Sequence, residues 1–342
     1  MIKILWLYRY AENFNFDHFL HMDFANAISK HPEIELKTYG LGLEKTYPEL
    51  QLTLYDKKLK MTDLKTMFDF DVVIANTKSR MFENYMPPRR YNDLDYADLN
   101  AEIRENCWLP SDFRELEAYK IMLEEDYHWE DNDSWYRSNR FSLILQRHYS
   151  QSIRSSHVKT LWFPFSVDTS VFKPDPSIVR NKKIGFIGCD VKDCYPLRAL
   201  STNILKPLGY LDKIGDFQIK IKDDDYVNYL KKYSSFLNGS SKVNVSSAKM
   251  FEIMASGALL FTNNSDIDYG LEKLFPKDCY CTYEENLSDL ISKAKIIIEN
   301  ENYVKKTTEK ALQCINEKHS HQIRIAELID IIKKFTGRDY VL

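Results

Sequence analysis

The chain has 342 residues, more than a single hydrophobic core usually serves, so two domains are the natural expectation. Lys and Arg number 47 against 50 Asp and Glu, and the formal charge of -3 leaves no global positive field to hold a polyanion such as DNA. No apolar run is long enough to span a bilayer, and the opening I-K-I-L-W-L-Y-R-Y is too short and too charged for a secretory signal, so a cytoplasmic location is expected.

Apolar runs alternate with helical patterns along most of the chain, the signature of parallel sheets with helices on both faces. In the first half, strands are predicted at Ile2 to Tyr8, Ile34 to Thr38, Asp71 to Ala75, Lys120 to Leu123, Ser142 to Gln146 and Thr160 to Phe163. Amphipathic stretches lie between them at His18 to Ser29 and Leu54 to Met67. Segment 78–116 carries Pro87, Pro88, Arg89 and Arg90 ahead of an acidic, Tyr-rich run; it is longer than a connecting loop and reads as an inserted lid or acceptor-recognition element.

Pro164 and Lys173-Pro174-Asp175-Pro176 interrupt the pattern, and Lys182 to Ile187 restarts it with a buried strand. This sets an N-terminal domain at 1–165, a linker at 166–181, a C-terminal domain at 182–318, and a last helix at 319–342 that can cross back to the first domain. The second half then predicts a helix at Pro196 to Leu205, a strand at Phe217 to Ile221, a helix at Tyr226 to Phe236 and a strand at Lys242 to Val245. A strand at Tyr280 to Tyr283 precedes a helical pattern from Asn286 to Lys334, broken near Asn300 and at His319 to His321.

The six cysteines, Cys107, Cys189, Cys194, Cys279, Cys281 and Cys314, have neither finger nor Cys-x-x-Cys spacing, so structural zinc and a disulfide framework are not expected. The chain also lacks a P-loop, a Gly-x-Gly-x-x-Gly fingerprint and a Gly-x-Ser-x-Gly elbow, which disfavours a kinase, a dehydrogenase or a serine hydrolase.

The most informative run is K-M-F-E-I-M-A-S-G-A-L-L-F-T-N-N from Lys249 to Asn264. Lys249 and Glu252 are three apart at the start of a helix and project from one face. Gly257 stops the helix, and Ala258 to Thr262 is a short buried strand. Charge at a helix start within a strand-helix-strand unit suits an anion or a polyol. The bland alternative is an exposed ion pair contributing only about 0.2–0.5 kcal/mol. Asp126 and His128 follow one strand, and Arg147 and His148 the next, at the carboxyl ends where open α/β sheets bind ligands; His128 also suits proton transfer. His18 can reach the same edge, while packing or solvent exposure is the simpler role for His18 and His21. Asp223-Asp224-Asp225 has the look of a metal-binding Asp-x-Asp, but N-terminal helix capping explains it better.

Several segments together resemble the GT-B glycosyltransferases, and most closely the spore-maturation type, relatives of a large retaining family. They are L-E-E-D-Y-H-W from Leu123, L-I-L-Q-R-H-Y from Leu143, W-F-P-F-S-V-D-T-S-V-F-K-P from Trp162, I-G-F-I-G from Ile184, Y-P-L-R from Tyr195 and K-M-F-E-I-M-A-S-G from Lys249. The likeness covers roughly Tyr119 to Ile331. It implies an α/β fold of two Rossmann-like domains whose parallel sheets face a central cleft. The C-terminal domain would hold a nucleoside-diphosphate sugar, a UDP-sugar among the candidates, and the N-terminal domain a hydroxyl acceptor. Glu252 would then bind the ribose hydroxyls, Lys249 and Arg198 the diphosphate, and Gly188 would let the backbone approach the phosphates. Asp126 and His128 would act in transfer, with Arg147, His148 and His18 as secondary residues of the cleft. No metal and no cofactor beyond the sugar donor are implied.

One position departs from the resemblance. Asn244 stands eight residues before Glu252, where many retaining relatives carry a second glutamate; retention is still the outcome the likeness favours. The rival readings are a sugar- or nucleotide-binding module without turnover, and a transferase acting on modified DNA or on protein through Arg89 and Arg90. The acidic residues from Asp93 to Asp98 oppose the DNA acceptor and leave a glycan or small molecule favoured.

Overall fold

The computed structural model describes residues 1–7, 19–40, 48–56, 58–76, 109–124, 133–149, 157–188, 190, 192, 195–215, 223–240, 246–264 and 270–337. The chain divides into two compact units, one of Met1–Arg147, Gln151–Phe163 and Ile329–Leu342, the other of His148–Ser150 and Pro164–Leu328.

The first unit runs β1 (Ile2–Leu7), α1 (Phe19–Ser29), β2 (Ile34–Tyr39), α2 (Met61–Met67), β3 (Val72–Asn76), β4 (Tyr119–Glu124), α3 (Asp133–Ser138), β5 (Leu143–Gln146) and β6 (Thr160–Trp162). Its sheet has the order β2-β1-β3-β4-β5-β6, and every pairing is parallel. Strands of a parallel sheet covered on both faces read as continuous apolar runs, and all five residues of β3 are buried. One face packs Leu5, Leu7, Val73, Met122 and Ile144 against Met61, Leu64, Phe70 and Phe113.

The helix expected from Leu54 begins only at Met61. Its start is set from a distance. The Asp112 carboxylate accepts from the backbone N–H of Met61 at 2.6 Å and of Thr62 at 3.1 Å, satisfying donors that a helix start leaves open. Partial burial raises the affinity of this carboxylate for a proton, but those hydrogen bonds outweigh it and hold Asp112 below its ordinary range.

The second unit runs β7 (Asn181–Ile187), α4 (Pro196–Leu205), β8 (Leu211–Ile214), α5 (Asp223–Lys232), β9 (Tyr233–Leu237), α6 (Ala248–Ala255), β10 (Leu259–Asn264), α7 (Leu271–Leu274), β11 (Tyr280–Glu284), α8 (Leu290–Glu299) and α9 (Glu301–Cys314). A π-helical turn, Ile315–His319, leads into α10 (His321–Thr336), of which the residues from Ile329 count with the first unit. The parallel sheet has the order β11-β10-β9-β7-β8. From β7 the chain goes first to one neighbour, β8, and then returns to the other, β9. The carboxyl ends of β7 and β9 therefore flank a topological switch point, the position at which doubly wound sheets open a crevice.

Two expectations for this unit are corrected. The helix predicted over Tyr226 to Phe236 ends at Lys232, and Tyr233–Leu237 is a strand hydrogen-bonded between β7 and β10. No loop separates the two elements, so a helical period runs on into residues whose state is set by sheet pairing on both sides. Leu211–Ile214, unmarked in the sequence reading, is the edge strand β8, only four residues long with Asp212 and Lys213 partly exposed. The strands expected at Phe217 to Ile221 and Lys242 to Val245 lie outside the described residues.

The stop at Gly257 is a Schellman turn. The Ala258 N–H donates to the Ile253 carbonyl at 3.1 Å and the Gly257 N–H to Met254 at 3.0 Å, with Gly257 left-handed at φ 72°. A β-carbon there would also lie 2.8 Å from Pro174.

Candidate functional site

The site is built on the carboxyl edge of the second unit's sheet. β7 ends at Ile187, and the chain turns at Gly188 with φ 128°, a backbone conformation natural only to glycine. Lys249, second residue of α6, donates from Nζ to the Ile187 carbonyl at 2.7 Å. A β-carbon at position 188 would lie 2.6 Å from that Nζ, so the absence of a side chain is what admits the lysine.

One helical turn on, Glu252 is 2% exposed, and the Tyr226 hydroxyl of α5 donates to its Oε2. The Lys249 ammonium stands 5.8 Å from the centroid of the Tyr226 ring, and Phe172 meets the same ring edge-on at 6.2 Å. Lys249 and Glu252 thus meet at one tyrosine, and Gly188 borders the lysine.

The backing of α6 holds this arrangement in place. Met250, Phe251, Ile253 and Met254 are wholly buried, and such side chains contribute about 1.5–3 kcal/mol each by burial. Phe251 lies 5.1 Å from Phe275, 5.3 Å from His319 and 6.4 Å from Phe165 between ring centroids. The imidazole of His319 is buried, which presses its pKa down to about 4 against the hydrogen bond to the Leu274 carbonyl at 2.9 Å.

Arg198 comes from the third position of α4. Its Nε donates to the Gly239 carbonyl at 2.6 Å, and its guanidinium lies 4.0 Å over the Tyr195 ring. Gly239 follows β9, where an added β-carbon would meet the Arg198 side chain and the Tyr283 hydroxyl at 3.2 Å each. Beside it, Asn263 at the end of β10 accepts from the Ser240 N–H at 2.7 Å and donates to the Ser240 hydroxyl at 3.1 Å. The turns after β7 and β9 are therefore pinned by side chains from α4, α6 and β10. The result is a buried carboxylate and two cations on the carboxyl edge of one sheet, a set able to accept from a polyol and to compensate an anion.

Arg147 and His148 are both buried but sit in different units. The Arg147 guanidinium lies 5.0 Å from the Phe24 ring and 5.1 Å from the Phe163 ring. His148 packs edge-on against Phe165 at 5.6 Å. Asp126, His128, His18 and Asn244 lie outside the described residues. Asp225 is exposed near the start of α5, and among the described residues no three His, Cys, Asp or Glu side chains gather as a metal site.

Sequence reasoning did not single out Tyr226, Gly239, Ser240 or Asn263. The Tyr226–Glu252 bond joins residues 26 apart on different helices and leaves no local signal. Glu124 was also passed over, although it ends β4; it is fully buried and accepts from the Tyr136 hydroxyl.

Among the described residues no helix is long and apolar enough to cross a membrane. No curated protein matches the chain in sequence. Among solved structures, a glycosyltransferase from Rickettsia africae is 11% identical with a TM-score of 0.62, the alignment covering 99% of each chain. Anabaena HepE in complex with UDP-glucose is 12% identical with a TM-score of 0.61, over 98% of this chain and 100% of that one. An alpha-glucosyltransferase in complex with UDP-glucose and DNA containing an abasic site is 13% identical with a TM-score of 0.62, over 97% and 99%. These likenesses establish the fold: two parallel α/β sheets of the GT-B kind. Residues 197–330, which include Arg198, Lys249 and Glu252, match the family model described as glycosyl transferase-like.

Proposed function

We propose that the chain is a glycosyltransferase that moves a sugar from a nucleoside diphosphate to a hydroxyl acceptor, with a UDP-sugar as donor. The observation that carries the reading is the grouping of Gly188, Lys249 and Glu252 at the switch point of the second sheet, with Lys249 and Glu252 inside the segment that matches the glycosyl transferase-like family. The UDP and UDP-glucose complexes among proteins of the same fold support the choice of uridine.

In this reading Glu252 accepts from the ribose hydroxyls, and Lys249 and Arg198 compensate the diphosphate. The bond between the sugar C1 and the diphosphate oxygen breaks, the acceptor oxygen bonds to C1, and the acceptor proton is released. Negative charge develops on the leaving diphosphate, so cations fixed beside it stabilise the transition state more than the ground state. Asp126 and His128 are assigned to the transfer step, and retention to its stereochemical course. The two fixed cations make a metal ion unnecessary, and the acceptor is a glycan or small molecule.

A thermal-shift panel of UDP, GDP and ADP tests the donor assignment. A ligand at a hundredfold excess over its Kd stabilises the fold by about 2.7 kcal/mol, a readable shift. UDP should raise the melting temperature most, and Glu252→Gln should shrink that rise with little change in the unliganded protein. No shift with any of the three would overturn the reading. Nucleotide binding without release of UDP from UDP-glucose, across glycan, small-molecule and duplex DNA acceptors, would favour a binding module.

A further inference from the structure

We infer that Tyr226 is a positioning residue that makes the Glu252 carboxylate a selector for ribose over deoxyribose; this rests on the donor reading above. Three observations converge on it. The Tyr226 hydroxyl donates to Glu252 Oε2. The same ring lies 5.8 Å from the Lys249 ammonium, so a single side chain touches both charged groups of α6. The ring is itself braced edge-on by Phe172 at 6.2 Å and carried on α5, whose Val227 and Leu230 are buried.

A carboxylate with two oxygens has about four acceptor directions. A donor fixed on one oxygen stops rotation of the carboxylate plane and aims its remaining lone pairs at one place. A vicinal diol presents two hydroxyls at a fixed spacing and gains from that aim; a 2′-deoxyribose presents one and gains less. A buried site built to receive a hydroxyl rejects the analogue lacking it, because its polar group is left without that partner. If the carboxylate swings freely, the second bond forms less often and the preference falls. Tyr226 therefore acts through Glu252 without touching the reacting atoms.

Tyr226→Phe keeps the ring against Phe172 and Lys249 and removes only the hydroxyl. Titration calorimetry with UDP and 2′-deoxy-UDP on the parent, Tyr226→Phe, Glu252→Gln and the double variant separates the outcomes. Tyr226→Phe should weaken UDP binding several-fold, because the carboxylate is no longer held in the orientation that receives both hydroxyls, and weaken 2′-deoxy-UDP much less. In the Glu252→Gln background it should change neither affinity. Unchanged UDP affinity in Tyr226→Phe, or equal weakening toward both nucleotides, overturns the inference while leaving the donor reading intact. Failure of the parent to bind any of UDP, GDP and ADP removes the donor reading and this inference together. Cooperative thermal unfolding of each unliganded variant confirms that the comparison is between folded proteins.

Discussion

The Lys249 ammonium occupies the space that a β-carbon on Gly188 would take, 2.6 Å from where that atom would lie. The relationship ties the turn after β7 to the first turn of α6, and it makes position 188 a control on the lysine. Gly188→Ala adds a methyl group at φ 128°, where strain costs of order 1–3 kcal/mol, and pushes Nζ off the Ile187 carbonyl. Nucleoside diphosphate affinity should fall several-fold. Adding Lys249→Ala to Gly188→Ala should cost little more, because both changes remove the same contact; calorimetric affinities of the four proteins check this by a double-mutant cycle. Additive losses would mean that glycine and lysine act separately.

Arg198 is held by Nε on the Gly239 carbonyl at 2.6 Å and by its stacking 4.0 Å over Tyr195. Both contacts depend on a planar guanidinium, which a lysine cannot reproduce. Arg198→Lys should weaken UDP binding about tenfold, in line with the roughly 1.5–3 kcal/mol of one charge-assisted hydrogen bond, and leave uridine binding unchanged. Equal losses for uridine and UDP would place Arg198 away from the diphosphate.

Elements long enough to show their own period were legible in the sequence. Pro196–Leu205 and the long helical run after Asn286 fall where predicted, as does the stop at Gly257, because propensity, capping and burial agree there. What escaped was set by contacts distant in sequence. The start of α2 at Met61 depends on Asp112, 51 residues away, and β9 is a strand because β7 and β10 flank it. The same division holds at the site. Lys249, Glu252, Gly188 and Arg198 stand in local motifs and could be named in advance, whereas Tyr226 and Asn263 join it only through tertiary hydrogen bonds.

Turnover is expected to survive chelation. Arg198 and Lys249 place two positive charges on the carboxyl edge of the sheet, and in the proposed reaction these would serve the leaving diphosphate without a divalent ion. Release of UDP from UDP-glucose should be the same within experimental error before and after EDTA treatment and dialysis. Activity that vanishes with EDTA and returns only with manganese would contradict this and bring Asp223 and Asp225 back as candidates.

The histidine behind α6 gives the second unit an acid limit. Burial holds His319 at a pKa of about 4 in the folded chain against an ordinary value of 6.5, so between those values the unfolded chain takes up a proton that the folded chain refuses. Stability from this group is complete above pH 6.5 and is lost as pH falls toward 4, by at most about 3 kcal/mol for a shift of this size. Arg324, whose Nη2 lies 3.3 Å from Nδ1, and Lys318 add repulsion to the charged form. His319 packs on Phe251, which directly precedes Glu252, so the loss should reach the proposed donor site. Urea unfolding of the parent at pH 7, 6, 5 and 4.5 should show a progressive fall in stability. His319→Phe, which keeps an aromatic ring against Phe251 and Phe275, should be less stable at pH 7 for want of the bond to Leu274 but should lose distinctly less between pH 6.5 and 4.5. Parallel acid slopes in the two proteins would show that carboxylates elsewhere, and not His319, set the acid limit.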